Sequence, residues 1–239
     1  MIDCKKLETF AGSFGVLLDK DMLKKMDIYA ELLLEHNKKV NLTAITEPNE
    51  VMIKHFLDSL TVVPIIKEAM GNKIFSLIDV GTGAGFPGVV IAIAMGNAQI
   101  TLLDSIGKKI DFLISLCDKL ELKCDYVCER AEIVARKDNY REKFDIAVSR
   151  AVANLNMLSE YCVPFVKVGG SFIAMKGAAG RGEAEAAKNA LDTLGLKTVS
   201  NEELILPDNN RRIILNYKKT IKTPDFYPRK SAQIGKKPL

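Results

Sequence analysis

The stretch LIDVGTGAGFPG, residues 77–88, constrains this chain more than any other, because an apolar run ends abruptly in three glycines at alternate positions. Gly81, Gly83 and Gly85 permit positive φ and leave the backbone bare enough for close approach. A turn of this kind at the end of the first strand of an open α/β sheet sits at the carboxyl edge, where such sheets bind ligands. The flanking side chains decide which ligand.

Two phosphate-binding readings fail on spacing. No Gly-Lys-Ser/Thr follows the glycines, so the turn is not a P-loop. Nor is it G-x-G-x-x-G: Ala84, Gly85 and Phe86 follow Gly83, and Phe86-Pro87 stand where a dinucleotide fold offers a helix N-terminus to pyrophosphate. Asp79, two residues before Gly81, would repel a pyrophosphate but would make a charge-assisted hydrogen bond to the ammonium of a methionine moiety. Asp104 ends the next strand-like run, where a carboxylate accepts from both hydroxyls of a ribose. Its structural alternative is to cap the helix that starts near Ser105. Ala131 and Glu132 follow the third run at the height of an adenine, with Glu132 alternatively a first-turn acid favoured by the helix dipole. Asp79 and Asp104 together favour S-adenosylmethionine (SAM) over NAD.

The pattern around the glycines predicts the fold. Runs 74–80, 98–104, 124–128, 144–149, 170–176 and 211–217 read as strands. Helical periodicity fills 88–96, 107–120, 154–167 and 181–194 between them, which argues for a doubly wound parallel sheet. Residues 3–18 and 21–39 precede the sheet as helices, the second with Met22, Met26, Tyr29, Leu33 and Val40 along one face. The expected organisation is an N-terminal helical cap over 1–72 and an α/β domain over 73–239. In a chain of 239 residues, 48% of them apolar, the longest apolar run is VVIAIAM, far short of the ~20 residues of a membrane span. The start, MIDCKKLETF, does not read as a signal peptide. The five cysteines lack CxxC spacing and only two histidines are present, so no metal site is expected and the cysteines read as small core residues in a reducing compartment.

The run FDIAVSRAVANL ends the fourth strand, where a methyltransferase of this sheet type meets the transferred methyl. It has neither the Asp/Asn-Pro-Pro-aromatic segment of exocyclic-amine methylation nor a Pro-Cys pair for attack on a pyrimidine. It offers Ser149 and Arg150. Guanine N7 carries a free lone pair and no proton, so its methylation asks only for approach, alignment and desolvation. Arg150 can hold O6 or a phosphate through its planar fork, or alternatively pair with a local carboxylate. Segment 211–239 has nine Lys or Arg against Asp225, a net +8, whereas the rest of the chain is at −4. It reads as a phosphate-binding strip or as a solvated end. His55 reads as a satisfied polar group between cap and sheet, with a substrate-side contact as its alternative.

In order along the chain, NLTAI (41–45), HFLDSL (55–60), DVGTGAGFPG, LLDSIGKK (102–109), RAE (130–132), SRAVA (149–153), MKG (175–177), YPRK (227–230) and the terminal KKPL resemble the RsmG (GidB) family of 16S rRNA guanine-N7 methyltransferases. The resemblance spans nearly the whole chain. It implies a class I SAM-dependent methyltransferase fold, Rossmann-like, with an N-terminal helical extension, working in the bacterial cytoplasm on the small ribosomal subunit. The sequence leaves the oligomeric state open, with a monomer as the expectation. The resemblance also implies donor contacts at Gly81, Phe86, Ala131, Glu132 and Arg150. Arg130, Lys176, Arg211 and Arg212 match basic positions near the RNA, and Arg229, Lys230, Lys236 and Lys237 extend them into the tail. Two other readings remain open: a non-catalytic RNA-binding assembly factor on a SAM fold, and a NAD-dependent oxidoreductase. The latter would want a His or Tyr proton donor near the hydride, and both histidines precede the sheet.

Overall fold

The computed structural model describes residues 1–150 and 153–239. Ala151 and Val152 of the SRAVA block lie outside the described residues. Seven strands form one sheet in the order β3-β2-β1-β4-β5-β7-β6. They are β1 Phe75–Val80, β2 Ala98–Asp104, β3 Cys124–Cys128, β4 Phe144–Arg150, β5 Val166–Gly177, β6 Leu196–Ile205 and β7 Arg211–Lys219. The first five are parallel, with Asp79 opposite Leu102 on one side of β1 and Val148 on the other. β7 runs antiparallel to both β5 and β6, so the sheet is mixed rather than wholly parallel as expected.

Alternate side chains of each strand face opposite layers, and the sequence alternation follows this pleat. Leu77, Leu102, Ile146, Val148 and Ile173 face one core, whereas Ile78, Leu103, Ala147, Phe172 and Ala174 face the other. The first core is covered by α1 (Cys4–Ser13), α2 (Lys20–Asn37), α6 (Gly88–Ala94) and α7 (Gly107–Lys119). Between α2 and β1 come α3 (Pro48–Val51), a π-helical turn (Met52–Leu57), α4 (Asp58–Leu60) and α5 (Val63–Met70). The second core is covered by α8 (Ala131–Val134), α9 (Leu155–Cys162), α10 (Gly180–Ala186) and α11 (Lys188–Thr193), and α12 (Ser231–Lys236) ends the chain.

In α2, Met26, Tyr29, Ala30 and Leu33 are fully buried at steps of three and four, and Asp19 caps the first turn by accepting from the Met22 amide at 2.8 Å. The helix stops at Asn37 rather than 39, because the Asn37 carboxamide turns back onto Leu42 and Thr43. β6 was not expected: it is a polar edge strand, with Glu202 and Glu203 exposed, and such charges keep an edge from pairing with other chains. The expected helix 154–167 ends at Cys162, where Val163–Phe165 form a 3-10 turn around Pro164. No helix among the described residues is long and apolar enough to cross a membrane.

The topology reverses between β1 and β4, and Ser149 Oγ donates to the Val80 carbonyl at 2.7 Å across that seam. The site assembles at this edge.

Candidate active site

A cavity of about 520 Å³ opens over the carboxyl ends of β1 to β4. Gly81, Asp104, Ala131, Glu132 and Arg150 are in its walls. Asp104 is fixed from both sides: Oδ2 accepts from the Gly83 amide and Oδ1 from the Ile106 amide, each at 3.0 Å. Both oxygens keep a lone pair free, which suits the two hydroxyls of a ribose. The Ile106 amide lies just before α7, so Asp104 braces the approach to that helix without capping its first turn. Glu132 is likewise both an α8 first-turn acid and a wall of the cavity. Arg130 stands at the rim, largely exposed, 3.8 Å from Glu132. A braced carboxylate beside the bare backbone of Gly81, at φ +76°, fits the adenosine and amino-acid parts of SAM.

Four expected donor residues stand behind the walls of this cavity rather than in them. Asp79, Gly83, Gly85 and Phe86 do not line this cavity; they build its support. Asp79 is fully buried, and its Oδ2 accepts from the Gly88 amide at 2.8 Å while Oδ1 has no partner among the described residues. Burial pushes its carboxyl up to about 6, against the Gly88 amide, which favours the anion. Gly83 spends its amide on Asp104. Gly85 is glycine because of the cap: at φ +104°, a Cβ would lie 2.5 Å from the Tyr29 hydroxyl and 2.8 Å from Leu113. Gly88 serves Asp79 in the same way, since a Cβ would fall 2.8 Å from Oδ2.

Phe86 is the centre of an aromatic stack. Its ring lies parallel to Tyr29 at 4.9 Å and to His55 at 4.6 Å, with Phe56 edge-on at 5.5 Å. Tyr29 also donates to the Ala84 carbonyl at 2.5 Å, so the cap grips the glycine loop through rings and a hydrogen bond together.

Arg150 stands between two hollows. Beyond it lies a second one of about 370 Å³, walled by Lys54, His55, Asp58, Lys176 and Arg212. Arg150 Nη1 donates to the Lys54 carbonyl at 3.0 Å and to Asp58 Oδ2 at 3.2 Å, and its guanidinium lies 5.2 Å from the Phe86 centroid. The ion pair weighed for Arg150 is thus present. Arg212 takes the other Asp58 oxygen at 3.0 Å. His55 Nε2 is 2.8 Å from the Thr43 hydroxyl, and Nδ1 faces Arg150 Nη2 at 3.4 Å. Burial and the Arg150 cation hold its imidazole down at about 3, so it is neutral at physiological pH.

The basic candidates divide. Lys176 lines the second hollow, but it is buried and paired with Glu183 at 2.9 Å. Arg211 is exposed beside Arg212, on a surface recess that also includes Arg181. Lys230, Lys236 and Lys237 are exposed. Arg229 is not part of a free strip: it clamps the fully buried Glu160 through Nε at 2.9 Å, Nη2 at 2.6 Å and its own amide at 2.7 Å. Lys219 is buried too, donating to Glu142 and the Val166 carbonyl, both at 2.7 Å.

Sequence reasoning passed over Asp58 and Lys54. A lone acid inside the apolar run VMIKHFLDSL was a signal, since a buried carboxylate needs a partner. Nothing in the sequence named Arg150 and Arg212 as those partners, 92 and 154 residues away.

The sheet order, the reversed last hairpin and a braced acid beside bare glycines define a class I SAM-dependent methyltransferase. Among solved structures with this fold, a class I SAM-dependent methyltransferase of Listeria monocytogenes matches with a TM-score of 0.61 at 13% identity, over 84% of this chain and 71% of that one. A 16S rRNA (adenine(1408)-N(1))-methyltransferase of Catenulisporales acidiphilia matches with a TM-score of 0.53 at 12% identity, over 70% and 92%. The chain belongs to the GidB family, rRNA small subunit methyltransferase G, whose model matches residues 22–213. A ribosomal RNA small subunit methyltransferase G of Acetivibrio thermocellus is 47% identical over 96% of this chain and 93% of its own length. One from Bacillus cereus is 46% identical over 100% and 99%.

Proposed function

We propose that this chain, acting in the cytoplasm as a monomer and without a metal, transfers the methyl group of SAM to N7 of a guanine in small-subunit rRNA. One observation carries the reading: Arg150 is the common wall of a cavity that fits the donor and a hollow lined by cationic donors. In this reading residues 1–72 form the cap, 73–239 the catalytic unit, and the cap supplies Lys54, His55 and Asp58 to the substrate side.

SAM supplies an electrophilic methyl on a sulfonium. The chain's residues orient and desolvate. Asp104 takes the ribose and Gly81 the amino-acid end, while Ala131 and Glu132 meet the adenine. Asp79, Gly83, Gly85 and Phe86 act through the shape of the loop. Arg150, Arg212 and Lys54 present N–H groups to a base whose exposed edge, O6 and N7, accepts hydrogen bonds. N7 has no proton to lose, and the hollow suits that: His55 is neutral and weakly basic, and each Asp58 oxygen is taken by an arginine. The base must be unstacked or in a loop, because the major groove of an RNA helix is too narrow for these side chains. Arg130, Arg211 and the exposed Lys230, Lys236 and Lys237 are assigned to the flanking phosphates; Lys176 and Arg229, each paired with a carboxylate, are not.

The test is transfer of labelled methyl from SAM to small subunits from cells lacking this gene, followed by strand scission specific for N7-methylguanine. A single new cleavage, lost with Arg150→Ala, is expected. SAM binding without transfer to this RNA would overturn the substrate assignment, and transfer that survives Arg150→Ala would overturn the role of Arg150.

A further inference from the structure

The C-terminal segment is folded back against the catalytic unit. Arg136 donates to the Phe226 carbonyl at 2.9 Å and through Nε to the Pro228 carbonyl at 3.0 Å. Arg141 donates to the Thr223 and Tyr227 carbonyls, both at 2.9 Å. Together with the Arg229–Glu160 clamp, three arginines fix the backbone from 223 to 229. This network delivers α12 onto α9, which itself packs on α8. At the junction the Tyr161 hydroxyl meets the Ser231 hydroxyl at 3.1 Å, and both residues line the 520 Å³ cavity beside Ala131 and Glu132. Met157, one turn before Tyr161 on α9, lines the same side.

We propose that the strap 223–236 is a wall of the donor site, and that the Tyr161–Ser231 hydroxyl pair binds the adenosine of SAM. The inference rests on the 520 Å³ cavity being the donor site. Two hydroxyls that share one hydrogen bond retain a spare proton and free lone pairs, and so can both donate to and accept from a purine edge. A wall built from the last segment of the chain also explains why so basic a segment spends Lys219 and Arg229 on the carboxylates of Glu142 and Glu160. The segment is anchored before it is displayed.

The test uses the full chain and calorimetric titration with SAM and with S-adenosylhomocysteine. Tyr161→Phe and Ser231→Ala are each expected to weaken both ligands about 3- to 10-fold, the double variant by less than the product, with RNA affinity and its salt slope unchanged. Truncation after Lys230 is expected to weaken the ligands at least as much as the double variant, with circular dichroism reporting a folded sheet. Asp104→Asn serves as the control. If it weakens SAM while the strap variants and the truncation bind as the wild type does, the inference is overturned and the donor site stands. If all of them, Asp104→Asn included, bind SAM normally, the donor-site reading falls with it.

Discussion

The two hollows on either side of Arg150 are built in opposite ways. The donor cavity takes most of its walls from loops that directly follow strands β1, β2, β3 and β4, each one short step in sequence from a recognisable apolar run. The second hollow draws Lys54, His55 and Asp58 from the cap, Lys176 from β5 and Arg212 from β7. Topology supplies most of the first, since a crevice opens at the carboxyl ends of the strands where the order reverses. The second exists only because the cap is held onto the sheet, by the ring stack on Phe86 and by one buried carboxylate shared between two arginines. A site of the first kind tolerates local change; a site of the second kind fails together with its anchors.

The largest expected effect falls on that shared carboxylate. Asp58→Ala leaves two arginines without their partner in a buried setting and is expected to destabilise the fold by about 3–5 kcal/mol in denaturant unfolding. Asp58→Asn, which keeps the shape, is expected to lower methyl transfer at least about tenfold while SAM affinity changes less than about threefold. Equal losses in both would mean that the two hollows are not separable.

Next in size is a pH effect with opposite signs at His55 and Asp79. His55 is held at about 3, below an unfolded imidazole at 6.5, so the unfolded chain takes up its proton first. Its contribution to stability is complete above 6.5 and is lost as the pH falls toward 3. Asp79 is raised from 3.8 to about 6, so its contribution is complete below 3.8 and is lost as the pH rises through 6. Asp79→Asn is therefore expected to gain stability relative to the wild type between those values, by at most about 3 kcal/mol. His55→Gln is expected to resist acid better than the wild type below 6.5. Unfolding curves across this range that remain parallel to the wild type would break both assignments.

On the donor side, Asp104→Asn is expected to cost about 1.5–3 kcal/mol of SAM affinity, because it removes the charge that strengthens the ribose bonds, with RNA affinity unchanged. The smallest effect is on the exposed rim. Arg211→Ala is expected to reduce the salt slope of RNA binding by about one, and Arg229→Lys to leave that slope unaltered, as measured by titration at several ionic strengths. A slope lowered as much by Arg229→Lys as by Arg211→Ala would return Arg229 to the strip.

The glycine loop shows how far sequence reading reaches. The positive φ of Gly81, Gly83 and Gly85 followed from residue type, and all three occur, at +76°, +61° and +104°. Their purposes did not follow. Gly81 faces the cavity, whereas Gly83 braces Asp104 and Gly85 admits Tyr29 from helix α2, far upstream in the chain. Phe86 was placed on the donor by the family resemblance; what residue type could not show is its setting among Tyr29, His55 and Arg150. The tail was read from charge, which counts cations without showing which ones are already paired.

By itself, then, the sequence determined the alternation of strands and helices, the ligand edge and the acid that closes β2. These depend on residue spacing over a few positions, and spacing is local. Tertiary structure decided which acids face a cavity and which brace a loop, which cations are paired, and that a cap carboxylate holds two arginines, one from β4 and one from β7. Those outcomes depend on burial and on partners tens to more than a hundred residues away, and the energy of a charge is set by what surrounds it rather than by its place in the chain.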